Sequence, residues 1–480
     1  MDVKVAHYSA PGGETAPASR RRLRVAVFID HDIFVRHFLH SGVLRDLFAR
    51  HEVDVIVPPE GHKRLSADPA PYVAGARLHR LPPHPDRHRL WARLLQVTCM
   101  RPRLDAVSLE LRRMWRLALT AKAEILYTAV GAPGIYAAFR RWTLARVARI
   151  ENPALDALMA NRHDLVLIPG TPDSPFSQDI LYECNRRGVP CVMIMNSWDN
   201  PSGNRLVSGM PDLYLVWGEQ TRRHAIDFLG VPPERALAFG AAQFDHYREP
   251  PRLDRRAFAA RHGIDPGRRM LLYAGGSLGT DEFADLAVLD AAIESGAIAN
   301  ATVLYRPHPW GGDVDRARRI LQAGWRHVVI ESTTRAYLER LCERGYHIML
   351  ADTRDTHDVL SNIDAIVSPM STILVEALLH GKPTMCYLPL DDVEARHFQA
   401  VHQLTHFRDV QTSPHVVLAR SRAELVPAIR GLLAQSDDLA VARRLEDLGA
   451  HFVARFDRSY GERLVELVQR FAAGRTERAD

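Results

Sequence analysis

Short apolar runs rich in β-branched residues alternate with stretches of helical periodicity along most of the chain. The first run, Leu23–Asp30, ends in charge; a helical stretch over Ile33–Arg50 follows, then a second strand, Val53–Val57, closed by Pro58-Pro59. Strand, helix, strand at this spacing is a βαβ unit and implies a parallel sheet. The rhythm resumes with strands inside His163–Gly170 and Val189–Asn196 flanking a helix over Gln178–Arg187. Strand Asp212–Trp217, helix Thr221–Leu229 and the short apolar segment Ala236–Phe239 complete a first set. Arg248–Arg269, rich in Pro and charge, reads as a linker with a short helix. Beyond it come strand Met270–Tyr273, a glycine loop, helix Asp281–Ser295, strand Ala301–Arg306, helix Asp315–Ala323, strand Val328–Ile330 and helix Thr334–Arg344. Strands Ile348–Leu350, Ala365–Val367 and Thr384–Tyr387 follow, and the helical C-terminus opens on a capping box from Ser421 to Glu424. The expected fold class is α/β: two facing doubly wound, Rossmann-like domains with a cleft between them. A loose tail (1–22) precedes the first domain (23–247), a linker (248–269) leads to the second (270–455), and a C-terminal helix and tail (456–480) close the chain.

Two α/β domains of ordinary size fill 480 residues, and 46% apolar with 25% charged residues is globular composition. A disordered chain, a collagen and a small disulfide scaffold are excluded. No apolar run approaches the roughly 18–20 residues of a membrane helix. Cys99, Cys184, Cys191, Cys342 and Cys386 form no CxxC pair, so neither a zinc site nor a disulfide framework follows. With no apolar segment near the N-terminus, a cytoplasmic location is expected. The net charge of +5 hides an uneven distribution: residues 71–150 hold 15 Arg+Lys against 4 Asp+Glu. Leu104, Val107, Leu111, Met114, Trp115 and Ala118 recur there at helical spacing, with Arg103, Arg112, Arg113 and Arg116 elsewhere on the wheel. Two readings stand: a helical insertion with a solvated basic face, or a surface meeting anionic lipid (the inner face of the membrane) or a polyanionic acceptor. Nucleic acid is not expected, because no nucleic-acid module accompanies the charge.

In open α/β sheets ligands bind beyond the carboxyl ends of the strands. In the second domain three such exits carry chemistry. Arg306-Pro307-His308-Pro309 offers a guanidinium for a phosphate and an imidazole for a hydrogen bond or proton; a rigid strand exit is the plain alternative. Ser368-Pro369 leads to Ser371 and Thr372, either of which can cap a helix ending at Gly381, its start facing a phosphate. Glu376 stands one turn on, about 5.4 Å along the axis, in reach of ribose hydroxyls. Gly275-Gly276-Ser277-Leu278-Gly279 follows a strand; with acid at the next helix start, contact through loop amides is expected there. In the first domain, Asp30-His31-Asp32 and Ser197-Trp198-Asp199-Asn200 occupy matching exits. His31 or Asp199 is a candidate base for deprotonating a hydroxyl; an oriented surface histidine is the alternative. No GxxxxGK[ST], no GxGxxG after the first strand and no HExxH is present.

The runs Ser197–Asn204, Pro211–Gln220 and Gly240–Asp245, with Arg306–Pro309 and Ser368–Pro383, resemble GT-B glycosyltransferase-like proteins of the surface-polysaccharide and CDP-glycerol glycerophosphotransferase-related branch. The resemblance implies a nucleotide-activated donor on the second domain, a glycan or lipid-linked acceptor on the first, and no metal or dinucleotide cofactor. It implies that His308 and Ser371-Thr372 contact the donor phosphates and Glu376 the ribose. Retaining relatives often carry a carboxylate near the position of Ser368; its absence implies an inverting transfer.

Overall fold

The computed structural model describes residues 21–62, 64–101, 120–276, 280–309, 313–345, 352–389 and 404–476. Two sheets carry them. The first orders its strands β3-β2-β1-β4-β5-β6-β7: β1 (Arg24–Phe28), β2 (Glu52–Val57), β3 (Arg77–Arg80), β4 (Leu165–Pro169), β5 (Cys191–Ile194), β6 (Leu213–Val216) and β7 (Ala236–Ala238). The second orders its strands β10-β9-β8-β11-β12-β13: β8 (Arg269–Ala274), β9 (Ala301–Arg306), β10 (Val328–Ile330), β11 (Ala365–Ser368), β12 (Thr384–Tyr387) and β13 (Val417–Ala419). Every pairing is parallel, with Val25 opposite Leu165 across the first switch point and Ile366 opposite Leu272 across the second. Helices cover both faces, which is why β4 and β9 are buried at every residue; β4 reads as an unbroken apolar run, and β9 is mostly apolar until it ends in Arg306.

Several elements depart from the expectation. The stretch Ile33–Arg50 is not one helix: a π turn over Val35–His40 widens it, Gly42 at φ +81° breaks it, and α1 (Arg45–Arg50) restarts it. The basic insertion is not wholly helical, since it supplies edge strand β3 before α2 (Pro85–Cys99), α3 (Ala121–Val130) and α4 (Pro133–Ala148). Among the later helices, α5 (Pro175–Arg187), α6 (Ile373–Leu379), α7 (Leu439–Phe452) and α8 (Tyr460–Thr476) matter most below. The capping box at Ser421 does not form; Glu424 instead accepts from the Ser421 hydroxyl and the Arg420 N–H, and a 3-10 turn opens the helix. Strand Ile348–Leu350 and the periodic run Leu104–Ala118, with Arg112, Arg113 and Arg116, lie outside the described residues.

One core passes between the domains. Trp198, after β5, packs edge-on against His406, Phe407 and Phe452 at centroid distances of 5.1, 5.1 and 5.7 Å. α7 closes on Phe452, the Ala454 N–H bonds to the Trp217 carbonyl at 2.8 Å, and α8 then buries Tyr460, Leu464, Val465 and Val468 against the first sheet. The cleft between the carboxyl ends of the two sheets is therefore held by a seam on which both domains pack.

Candidate functional site

The second sheet reverses its strand order between β8 and β11, and the residues leaving β8, β9 and β11 meet there. Arg306 ends β9 only 7% exposed; Nη2 donates to Thr356 Oγ1 at 2.9 Å, while Nη1 is buried without an acceptor among the described residues. Ser368 ends β11 fully buried, its hydroxyl equally unpartnered. His308 lies two residues beyond Arg306, half-buried at the exit of β9.

Ser371 and Thr372 precede α6, but neither hydroxyl caps it: Thr372 is already helical (φ −57°, ψ −27°) and makes no side-chain capping bond. The helix ends where expected, with Gly381 at φ +63°. One turn into it, Glu376 Oε2 accepts a 2.5 Å hydrogen bond from Tyr247, which stands on the 3-10 segment Ala242–Arg248 of the first domain. Burial pushes the Glu376 carboxyl up, opposed by the Tyr247 bond and the positive charges of Arg306 and Arg36.

Arg36 comes from the π turn of the first domain, so the widened turn sets one guanidinium opposite the other. Its Nη2 donates to His37 Nε2 at 2.7 Å, and Nε is buried without an acceptor among the described residues. His37 donates from Nδ1 to Asn196 Oδ1 at 2.6 Å, so it bridges the two as a neutral ring; burial and the Arg36 charge hold its pKa well below normal. Burial lowers the Arg36 pKa and the facing Glu376 raises it. Neither Arg36 nor Tyr247 was singled out by the sequence reading, because the interdomain approach that gives them a role leaves no local pattern.

The glycine loop departs from its expected use. The Gly275 N–H bonds to the Arg306 carbonyl at 2.8 Å, and the Gly276 N–H donates to Glu282 Oε1 at 3.1 Å. Glu282 is buried, also accepts from Tyr305 Oη at 2.5 Å, and would lie 2.6 Å from a Cβ on Gly275. The protein's own carboxylate thus holds the place a phosphate would take at Gly275 and Gly276; Ser277 lies outside the described residues.

At the carboxyl ends of the first sheet, the three residues after β1 divide their roles. Asp30 is buried and accepts a short hydrogen bond from Ser174, joining the exits of β1 and β4; burial raises its pKa. Asp32 accepts from the N–H groups of Ser66 and Ala67, both at 2.8 Å, and so tethers that loop. His31 Nδ1 accepts the Ile33 N–H at 3.1 Å, leaving the proton of the neutral ring on Nε2, where it donates rather than accepts. Burial lowers its pKa first, and the Arg64 charge adds to this. Asp199 stands after β5, its carboxyl raised by burial against a bond from Ser197. The structure thus gathers Arg306, His308, Ser368, Ser371, Thr372 and Glu376 at one sheet's exits, and His31 and Asp199 at the other's.

No family model and no curated protein matches this sequence. Solved structures do match. A Listeria monocytogenes protein provisionally described as a UDP-N-acetylglucosamine 2-epimerase aligns at 11% identity over 93% of this chain and 95% of that one, with a TM-score of 0.50. The UDP-GlcNAc 2-epimerase of Neisseria meningitidis, bound to UDP-GlcNAc, aligns at 12% identity over 92% and 99%, TM-score 0.49. The glycotransferase of kitacinnamycin aligns at 17% identity over 94% and 99%, TM-score 0.45. Likeness at this level is likeness of fold, and the two facing parallel-sheet domains are the GT-B architecture.

Proposed function

We propose that the protein is an inverting, metal-independent GT-B glycosyltransferase that moves a sugar from a nucleotide-activated donor to a glycan or lipid-linked acceptor in surface polysaccharide biosynthesis. One observation carries the reading. Arg36 and Arg306, from opposite domains, converge on Glu376, and each keeps a buried N–H that the described protein does not satisfy. Buried cations with unmet donors favour an anion able to accept from both, and a diphosphate does so. In this reading the diphosphate lies between the two guanidiniums, His308, Ser371 and Thr372 reach its oxygens, Ser368 lies beneath, and Glu376 accepts from the ribose. Charge developing on the departing nucleotide is then met by fixed donors, and closure on the seam excludes water. Asp199 takes the acceptor proton, since the bond to Ile33 leaves His31 as a donor. Residues 71–150 bring the cytoplasmic enzyme to an anionic membrane surface.

A thermal-shift screen with UDP, CDP, CMP and GDP tests this first. UDP or GDP binding fits a sugar donor, CDP or CMP points to glycerophosphate-type transfer, and binding of none leaves a catalytically inactive assembly partner. Glu376→Gln and His308→Ala each lose most donor hydrolysis and transfer; full activity in both variants overturns the site. A second reading, a non-hydrolysing sugar-nucleotide 2-epimerase, draws on the acid–base groups Asp30, His31 and Asp199 at the first sheet. Products formed from a sugar nucleotide without acceptor separate the two.

A further inference from the structure

Four of the six large apolar side chains that stand exposed among the described residues lie on one helical hairpin: Ile125 (71% exposed), Leu126 (58%), Ile135 (54%) and Trp142 (54%). The hairpin is α3 and α4, turning at Gly131-Ala132. Its inner face is spoken for: Tyr136 and Val147 pack with Trp91 and Leu94 of α2, and Tyr136 Oη meets Thr98 Oγ1 at 2.8 Å. The outer face is left to solvent. Ile135 and Trp142 are seven residues apart, two helical turns on the same side, with Ala138 exposed between them. Phe139 stacks on Trp142 at 5.9 Å, and Ile125 and Leu126 stand exposed midway along α3. Four cations edge this row, Lys122, Arg141, Arg146 and Arg149, and Glu124 is the only carboxylate from 121 to 149 in the sequence.

A solvent-facing apolar row with a tryptophan and a rim of cations is the composition of a helix lying in a lipid interface. The cations match anionic head groups, and apolar side chains so exposed mark a partner rather than plain surface. No helix of the described residues is long and apolar enough to cross a membrane. We propose that the outer face of α3–α4 docks on an anionic lipid bilayer. Ile125, Leu126, Ile135 and Trp142 enter the acyl boundary, while Lys122, Arg141, Arg146 and Arg149 meet lipid phosphates. The inference rests on the membrane part of the reading above. It moves the contact from the arginines of 103–116 to a defined face and gives it an apolar component.

Flotation of the full chain tests it, with phosphatidylcholine vesicles with and without phosphatidylglycerol, at low and high salt. The protein is expected to float with the anionic vesicles, less so at high salt. The double variant Ile135→Glu/Trp142→Glu is expected to lower the bound fraction about tenfold. Its melting temperature and nucleotide-induced thermal shift stay as in the parent, because both side chains are exposed. Quenching of tryptophan emission by brominated lipid should fall in Trp142→Phe. If the double variant floats as well as the parent, the hairpin assignment is wrong and the membrane contact lies elsewhere. If nothing floats, the membrane reading falls too, while the nucleotide shift still reports the donor site. A parent that self-associates, with a monomeric double variant and no lipid binding, makes this face an interface between copies and overturns the proposal.

Discussion

Arg306 sits where a protein built for stability alone would not put it. A guanidinium 7% exposed, with one nitrogen on Thr356 and another unmet, is desolvated without full compensation. Removing such a group should not weaken the empty protein, whereas removing it from a bound phosphate should cost about 1.5–3 kcal/mol, a charge-assisted bond's worth. Arg306→Ala is therefore expected to melt no lower than the parent without nucleotide, yet to bind the nucleotide identified by thermal shift roughly tenfold to a hundredfold more weakly by calorimetry. Arg36→Ala should weaken binding in the same direction, and it frees His37 from its cationic neighbour as well. A variant that loses stability but keeps affinity would make Arg306 a structural residue and remove the ground for the diphosphate site.

The elements around these residues differ in what the chain reveals of them. Strands β1, β4, β5, β8 and β9 were legible because burial on both faces demands segments that are apolar through their middles. The positions of Arg306 and Ser368 follow from such runs, since each ends a strand, and Glu376 follows from the helix that β11 feeds. The edge strand β3 was not legible: of its four residues only Leu78 packs on the core, while Arg77 and His79 both reach the buried Asp54, at 2.8 and 2.7 Å. Nor was the π turn, because Val35, Phe38 and Leu39 keep helical spacing while the backbone gains a residue at Ser41, whose N–H bonds to the Arg36 carbonyl. The glycine loop misled for a different reason: the acid that fills it lies six residues beyond Gly276, in the next helix. That element makes its own prediction. Glu282→Ala leaves the Gly276 N–H and the Tyr305 hydroxyl unpaired, at a cost of about 1–3 kcal/mol per group, and lowers the melting temperature. Inorganic phosphate should then restore part of the loss, in excess of any effect on the parent, because the vacated place is lined for an anion. Equal phosphate responses in parent and variant would show that the loop is only a packing device.

Across the whole molecule, the seam that sets the width of the cleft is lined with imidazoles that burial keeps neutral. His406, wedged against Trp198, has its pKa pushed down to about 3 by burial alone. His224 is lowered to about 4 chiefly by burial, and His246, beside the interdomain tyrosine, to about 4 by burial. In the unfolded chain each imidazole takes its proton near pH 6.5, so acid favours the unfolded state. Their contribution is complete above about pH 6.5 and is lost as the pH falls toward the folded values of about 3 to 4. Buried carboxyls such as Asp30 and Glu376, raised by burial, push the opposite way over part of that range, so the informative quantity is a difference between variants. His406→Gln, which cannot titrate, should flatten the fall of melting temperature between about pH 6.5 and 4, the parent losing on the order of 3 kcal/mol more over that interval. Because His406 touches the first domain through Trp198 and through its carbonyl bonded to Gln220 at 3.1 Å, its protonation loosens the seam before either sheet unfolds. Hydrogen exchange at acid pH should therefore rise first in the segments around Trp198 and Phe407. Parallel pH profiles for parent and variant, or exchange that begins in the sheet interiors, would take the seam out of the acid response.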